Sequence, residues 1–373
     1  MRREFNMCGR AVVVAALVGL PLCGSFAPLA AAADGDPVVS GESLRQRVLE
    51  RLPDSYLDRI KQKRDKIQEL FGQNRQLAAI PNLMVILESN KWTPGKTVKV
   101  AFNGGNSRLH ELIARAASEW ADYANIKFDF GRDADGNYRL WSADDKDYAA
   151  DVRISFSNPG YWSILGSDSS NPDIAQPYQP SMNFEGFDKG LPFDWAGVVR
   201  HEFGHALSVQ HEHQHPKVDC GWRWDDEDGY EMTTNDRGEF TRDPLGHFPG
   251  IYRWMGGPPN NWPKSQVDFN VRALQEDESA FGFGEFDKLS IMKYYFPDRM
   301  YVQGKDSVCY TGDPNNELSA EDKARIAEFY PKDPAVVAAR VNQQKEALAA
   351  LLSQVPKAST IEQELQLKLQ QWR

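Results

Sequence analysis

Positive charge is in short supply in this 373-residue chain, where 43 lysines and arginines face 53 aspartates and glutamates for a formal net charge of -10. An acidic surface repels phosphate backbones and anionic lipid, which argues against nucleic acid or anionic membranes as partners. Long apolar runs are missing too. The stretch from Ala11 to Leu22 stops short of the roughly 20 apolar residues that a membrane-spanning helix needs. There is no glycine-rich nonapeptide repeat of the calcium-binding kind, and Asp133-Ala134-Asp135-Gly136-Asn137 lacks the remaining ligands and closing glutamate of an EF-hand loop. That segment reads as a turn between strands, and Asp144-Asp145-Lys146-Asp147 as a solvated loop. Cysteine is rare, with Cys8, Cys23, Cys220 and Cys309 making up the whole complement.

What is present begins with an export signal. Arg2, Arg3 and Arg10 precede the apolar run, and Ala30-Ala31-Ala32-Ala33 stands before Asp34. A charged start, a short apolar core and a small-residue exit describe a secretory signal peptide over residues 1–33. Leu22 occupies the place before Cys23 where a lipid-attachment site carries glycine, alanine or serine. The chain is therefore expected to be released, secreted or periplasmic, with no membrane contact after cleavage. Removal of those residues leaves 40 basic against 52 acidic side chains, a charge of -12. It also leaves Cys220 and Cys309, an even pair that in an exported protein reads as one disulfide.

Residues 34–94 are charged and helical in pattern, in Ser43–Leu49 and again from Tyr56 through Ile67 to Phe71. Such a segment can be an inhibitory pro-segment or a helical extension packed on the domain that follows, and it holds no cysteine to latch a metal. Lys96–Phe102 then alternates as a strand. Leu109, Leu112, Ile113, Ala116, Ala117 and Trp120 recur at helical spacing, and Ile126–Phe130 and Val152–Phe156 read as further strands. His110 on that helix is expected at the surface. Ser181–Phe184 reads as the strand before the next helix, with a sheet edge expected between residues 160 and 185.

The chemistry concentrates in His201-Glu202-Phe203-Gly204-His205-Ala206-Leu207-Ser208-Val209-Gln210-His211. Histidines four apart share one face of a helix, so His201 and His205 can offer imidazole nitrogens to one Zn²⁺. Glu202 then stands beside the metal, where a carboxylate can take a proton from water. His211 is six residues past His205, on the far side of a continuous helix, so the helix must end near Ser208 if His211 is the third ligand. Asp194–Arg200 reads as the start of that helix. His213 and His215 lie off the ligand spacing and are expected behind the site or at the surface.

The extended motif resembles that of the metzincin zinc endopeptidases. Downstream, Ser290-Ile291-Met292-Lys293-Tyr294 resembles their Met-turn, and its tyrosine two residues after the methionine resembles the astacin-like members. Gly160–Gly166 is similar to an astacin stretch that has cysteine in place of Tyr161. The resemblance covers about residues 95–331 and implies an α+β fold. A twisted mixed sheet and two long helices would form an N-terminal subdomain, with a smaller irregular C-terminal one below the cleft. It further implies one Zn²⁺ per chain on His201, His205 and His211, Glu202 as general base, Tyr294 near the metal, and a protein or peptide substrate. Glu212 matches the glutamate after the third ligand, here with a structural role.

The chain departs from the family at Ser208, where the pattern has glycine because the backbone turns with positive φ. That conformation costs another residue about 1 to 3 kcal/mol. Trp222, Trp224, Tyr252, Trp254 and Trp262 read as the core of the irregular subdomain, with an aromatic glycan-binding surface as the competing reading. Ser319, with Asp322 three residues on, can cap a closing helix that runs to Tyr330. Residues 332–373 form a helical tail. The alternative to an endopeptidase is a zinc-dependent binding or adhesion protein without turnover, against which the intact Glu202 speaks.

Overall fold

The structure is a computed structural model that describes residues 39–40, 52–73, 90–274, 284–355, 357 and 359–372. The signal peptide expected over 1–33 and the helical pattern of Ser43–Leu49 lie outside the described residues. Asp34–Arg373 forms one compact unit. In chain order it opens with strand β1 (Val39–Ser40), then helix α1 (Asp54–Gln73), whose range includes the expected Tyr56–Phe71 pattern.

Strand β2 (Thr97–Asn103) buries Val98, Val100, Ala101 and Phe102 while Thr97, Lys99 and Asn103 stay exposed, so side-chain alternation sets its faces. Helix α2 (Ser107–Ser118) follows, its first turn capped by the Asn106 side chain, which accepts from the Leu109 amide at 2.8 Å. Strands β3 (Lys127–Asp129), β4 (Val152–Ser155), β5 (Tyr161–Ser163) and β6 (Met182–Phe184) complete a five-stranded sheet among the described residues, in the order β3-β2-β4-β6-β5. Its pairings are parallel except at β5, which runs antiparallel to β6 with Trp162 opposite Asn183. The sheet edge expected between residues 160 and 185 is thus β5. Strand β7 (Leu191–Pro192) pairs with β1 and leads into helix α3 (Trp195–Ala206).

One face of the sheet and both helices share a core in which Val100, Phe102, Ile154 and Met182 join Ile113 and Ala117 of α2 and Val199 and Phe203 of α3. The Trp120 indole locks the helices together by donating to the Arg200 carbonyl at 2.8 Å. His110 belongs to this core and not to the surface. It is 4 % exposed, stacks on Phe102 with centroids 3.9 Å apart, and its Nε2 pairs with the Gly104 carbonyl at 2.8 Å. Its position, three residues before Ile113 and seven before Ala117, puts it on the apolar stripe. The Asp133 turn is as expected: its Oδ1 accepts from the Asp135 and Asn137 amides at 3.0 and 2.9 Å.

Beyond α3 the chain holds helices α4 (Ile251–Gly256) and α5 (Lys264–Val271) amid irregular backbone. Its own core is aromatic: Trp222, Trp262, Tyr294, Phe296 and Tyr301 are buried together, with Trp224, Tyr252 and Trp254 packed against them. Trp222 and Trp262, at 8 % and 3 % exposure, serve as core and offer little to a glycan. Helix α6 (Ala320–Phe329) starts with the expected capping box between Ser319 and Asp322. The tail forms α7 (Pro334–Gln354) and α8 (Thr360–Gln371). It is tied back where Arg340 donates to the Phe329 carbonyl at 3.0 Å and Thr93 to the Gln371 carbonyl at 2.7 Å.

Cys220 and Cys309 are disulfide-bonded across 89 residues, a loop that includes Met292 and Tyr294. Closing a loop of that length in the unfolded chain makes the bond worth about 2 to 5 kcal/mol. Cys220→Ser is expected to lower the thermal midpoint by several degrees, and mass analysis of exported protein to find no free thiol at either position. An unchanged midpoint would contradict a stabilising bond.

Candidate metal centre

Helix α3 carries the site, and both of its ends are unusual. At its start Asp194 is 7 % exposed and, among the described residues, its Oδ1 has no hydrogen-bond partner. Burial pushes its carboxyl up to about 6. At its end the Leu207 amide still bonds back into the helix, and Ser208 turns the chain with φ of 68°. The helix therefore stops where the motif demands. The turn closes with the Ser208 amide donating to the His205 carbonyl at 2.7 Å and the Val209 amide to that of Gly204 at 2.9 Å.

Ser208 is supported by its own side chain. The hydroxyl donates to the Asn90 carbonyl at 2.8 Å, with the residue wholly buried. Gly166 makes room for this contact: a Cβ there would lie 2.0 Å from both the Ser208 Oγ and the Asn90 oxygen. Nearby, Trp92 donates from Nε1 to the Ala206 carbonyl at 2.8 Å, and the Tyr330 hydroxyl to that of Leu207 at 3.0 Å. Two separate segments, the one holding Asn90 and Trp92 and the one holding Tyr330, thus bond the turn that delivers His211.

His201, His205 and His211 converge, all buried, with ligand atoms within 4.8 Å of one another. Each Nδ1 faces an oxygen: His201 the Ile291 carbonyl at 2.8 Å, His205 the Val209 carbonyl at 2.7 Å, His211 the Gln214 Oε1 at 2.9 Å. The Gln214 amide nitrogen donates to the Phe269 and Arg272 carbonyls at 2.8 and 2.9 Å, so its oxygen is the end left to accept. Oxygen acceptors at every Nδ1 place the ring protons there, and the three Nε2 atoms present lone pairs. The Nε2 of His205 lies 3.1 Å from that of His201 and 3.0 Å from that of His211. Lone pairs at such separations repel unless a cation draws them together, and three oriented imidazoles with outer hydrogen bonds suit Zn²⁺.

Glu202 follows His201 on α3 and is 2 % exposed. The Tyr294 ring lies among the histidines, its centroid 5.2 Å from His201 and 4.4 Å from His211. His213 stacks on the Tyr294 ring with centroids 4.7 Å apart and pairs its Nε2 with the Asn270 carbonyl at 2.7 Å. His215 pairs with the Gly284 carbonyl at 2.8 Å. Both are buried behind the site, not at the surface, and burial holds the His213 pKa well below the usual range.

Sequence reasoning missed four supporting residues. Gly204 is the motif position against which Met292 packs: a Cβ there would meet the Met292 sulfur at 2.3 Å. Asp322 accepts from the Ser290 hydroxyl at 2.6 Å and the Ile291 amide at 2.8 Å, so the capping residue of α6 also anchors the turn whose carbonyl orients His201. Gln214 and Asn90 are the others. Glu212 has the expected structural role, its amide donating to the Met292 carbonyl at 3.1 Å and its Oε1 accepting from the Asp287 amide at 2.8 Å.

No family model matches the chain, and no curated protein matches it. Similar solved structures exist. One of myroilysin is 28 % identical over 66 % of this chain and 98 % of that one, with a TM-score of 0.49. A second, a crystal structure of myroilysin, is 27 % identical over 65 % and 87 %, with a TM-score of 0.41. High choriolytic enzyme 1, a hatching enzyme zinc-protease from Oryzias latipes (Medaka fish), is 17 % identical over 65 % and 94 %, with a TM-score of 0.35.

The two ends of α3 give two expectations. Asp194 has a folded pKa above its unfolded one, so its contribution to stability is full in acid and lost as pH rises through about 6. Asp194→Asn should therefore unfold later than wild type above pH 6, by about 1 to 3 kcal/mol, with the gap closing in acid. Equal midpoints across a pH series would refute this. Ser208→Gly loses a hydrogen bond worth about 1 kcal/mol but sheds strain of similar size. It should stay within about 1 kcal/mol of wild type, while Ser208→Ala, which keeps the strain and loses the bond, should be the least stable of the three in denaturant titrations.

Proposed function

We propose that this chain is an exported zinc-dependent endopeptidase, active on protein or peptide substrates with one Zn²⁺ per chain. The observation that supports it most is the set of three Nε2 lone pairs, each aimed by a hydrogen bond on the far side of its ring. When bound there, Zn²⁺ supplies the Lewis acidity that polarises a carbonyl and acidifies water. Glu202, buried beside the histidines on the same helix, accepts the proton of the attacking water and delivers it to the leaving amine. Its neighbourhood keeps that proton from bulk solvent. Tyr294 donates a hydrogen bond to the oxygen that gains charge as the carbonyl carbon becomes tetrahedral. Strand β5, at the sheet edge, offers backbone groups to an extended substrate by β-strand addition. Export rests on the signal-peptide pattern of residues 1–33 and agrees with the disulfide.

Glu202→Gln should retain zinc and lose hydrolysis. Tyr294→Phe keeps the ring but not the hydroxyl, and should lower kcat by about 10² to 10³ with KM little changed. Steady-state kinetics with metal analysis on the same samples decide the matter. A wild type that takes up no zinc would sink the proposal, and an unchanged kcat in a zinc-loaded Tyr294→Phe would remove Tyr294 from the chemistry.

A further inference from the structure

Beside His205 and His211 lies a cavity of about 260 Å³. Part of its lining is expected of a cleft in the catalytic domain: Leu165 just past the edge strand, and Phe269 and Leu274 at and beyond the end of α5. The rest is not. Ile60 and Arg64, four residues apart on one face of α1, and Leu52 just ahead of that helix also line it. A segment that sequence alone leaves between pro-segment and extension thus reaches the metal ligands.

The way α1 is held distinguishes those roles. Leu52 and Tyr56 form a single buried cluster with Trp162, Ile164, Ile174 and Ala175, and Trp162, Ile174 and Ala175 have no exposure at all. The Tyr56 hydroxyl donates to the Pro180 carbonyl at 2.8 Å, and Arg59 donates to the Ile174 carbonyl and the Gln179 Oε1, both at 2.9 Å. Lys63 pairs with Asp168 at 2.7 Å, with each side chain 14 % exposed. Departure of α1 would uncover an indole and strip the partner from a partly buried carboxylate. With α1 in place, moreover, the cavity stays open: the helix frames it and does not fill it.

We propose that α1 is a permanent wall of the substrate cleft, and that with Leu165, Phe269 and Leu274 it forms a pocket for a large apolar side chain next to the scissile bond. The apolar commitment follows from Leu52, Ile60, Leu165, Phe269 and Leu274, which share the lining with the polar Ser163, Gln210 and Gln214. Arg272 at the pocket is matched by Asp268, Arg64 brings a long aliphatic stem, and Phe269 is 42 % exposed, an uncovered ring at the mouth. The pocket rests on the hydrolytic reading of the metal centre, since its occupant is the substrate of that centre.

The test uses the full chain with Ile60→Ala and Ile60→Trp, and peptides chosen from a library cleavage and varied to Phe, Leu or Ala on each side of the cut bond. Wild type should prefer Phe or Leu over Ala by about 10- to 100-fold in kcat/KM at one of the two positions. Ile60→Trp, which fills the pocket, should bring the Phe, Leu and Ala peptides to within about threefold of one another, and Ile60→Ala should favour the larger ring. Ratios between peptides on one sample do not depend on the fraction folded. Kd ratios for the same peptides on Glu202→Gln protein separate the pocket from turnover. An inactive wild type whose Phe preference in binding disappears in Ile60→Trp would sink hydrolysis and keep the pocket. An active wild type with ratios unmoved by either substitution would sink the pocket and keep hydrolysis. Cutting the chain between residues 74 and 89 should leave α1 bound and activity unchanged; a rise of tenfold or more as α1 departs would make it a plug and overturn the proposal.

Discussion

Three ring protons hold this molecule to one arrangement. The Nδ1 hydrogens of His201, His205 and His211 must each find an oxygen, and those oxygens sit on the Ile291 turn, on Val209 and on Gln214. They are therefore contributed by two stretches of chain, the one just after α3 and the distant one around Ile291, and Gln214 is itself fixed by carbonyls around α5. The sheet subdomain supplies the helix and, through Ile291 of its core, one acceptor, while Gln214 is held by carbonyls of the aromatic subdomain, and the site exists only where both are folded against each other. Imidazole lone pairs gathered this closely are an electrostatic cost that the surrounding fold bears. This places the metal centre among those sites where local strain is offset by the rest of the structure.

Ser208 shows the same logic at the backbone. A left-handed residue with a side chain is costly, yet its hydroxyl reaches the Asn90 carbonyl, and Gly166 yields the space. The residue that departs from the metzincin pattern thus joins the metal turn to the segment entering the domain. A glycine there would turn as well but would tie nothing.

Periodicity made β2 and α2 legible in the sequence, because their burial follows the two- and 3.6-residue repeats, whereas β4 is buried at every position and α3 on nearly every side, so that composition and the histidine motif marked them instead. The end of α3 was legible from ligand spacing alone, and so was the set of three histidines that the structure brings together. His110 was misjudged because its polarity outweighed its place on the apolar stripe. Asn90 and the anchoring role of Asp322 could not be read, since their partners lie far off in sequence, as with the 118 residues between Ser208 and Asn90, and Gln214, though three residues from His211, is fixed by the distant Phe269 and Arg272 carbonyls. The aromatic subdomain was legible only as composition: its core forms from ring contacts such as Trp222 on Tyr301, which follow no repeat.

Met292 carries a consequence of its own. Its sulfur occupies the space that a side chain on Gly204 would take, and the residue has no exposure to solvent. An oxidant cannot reach that thioether while helix and turn are together, and the sulfoxide, larger and polar, would not fit between them afterwards. Oxygen on Met292 would thus be a chemical record of molecules that had come apart at the centre, written in an atom that the assembled protein keeps sealed.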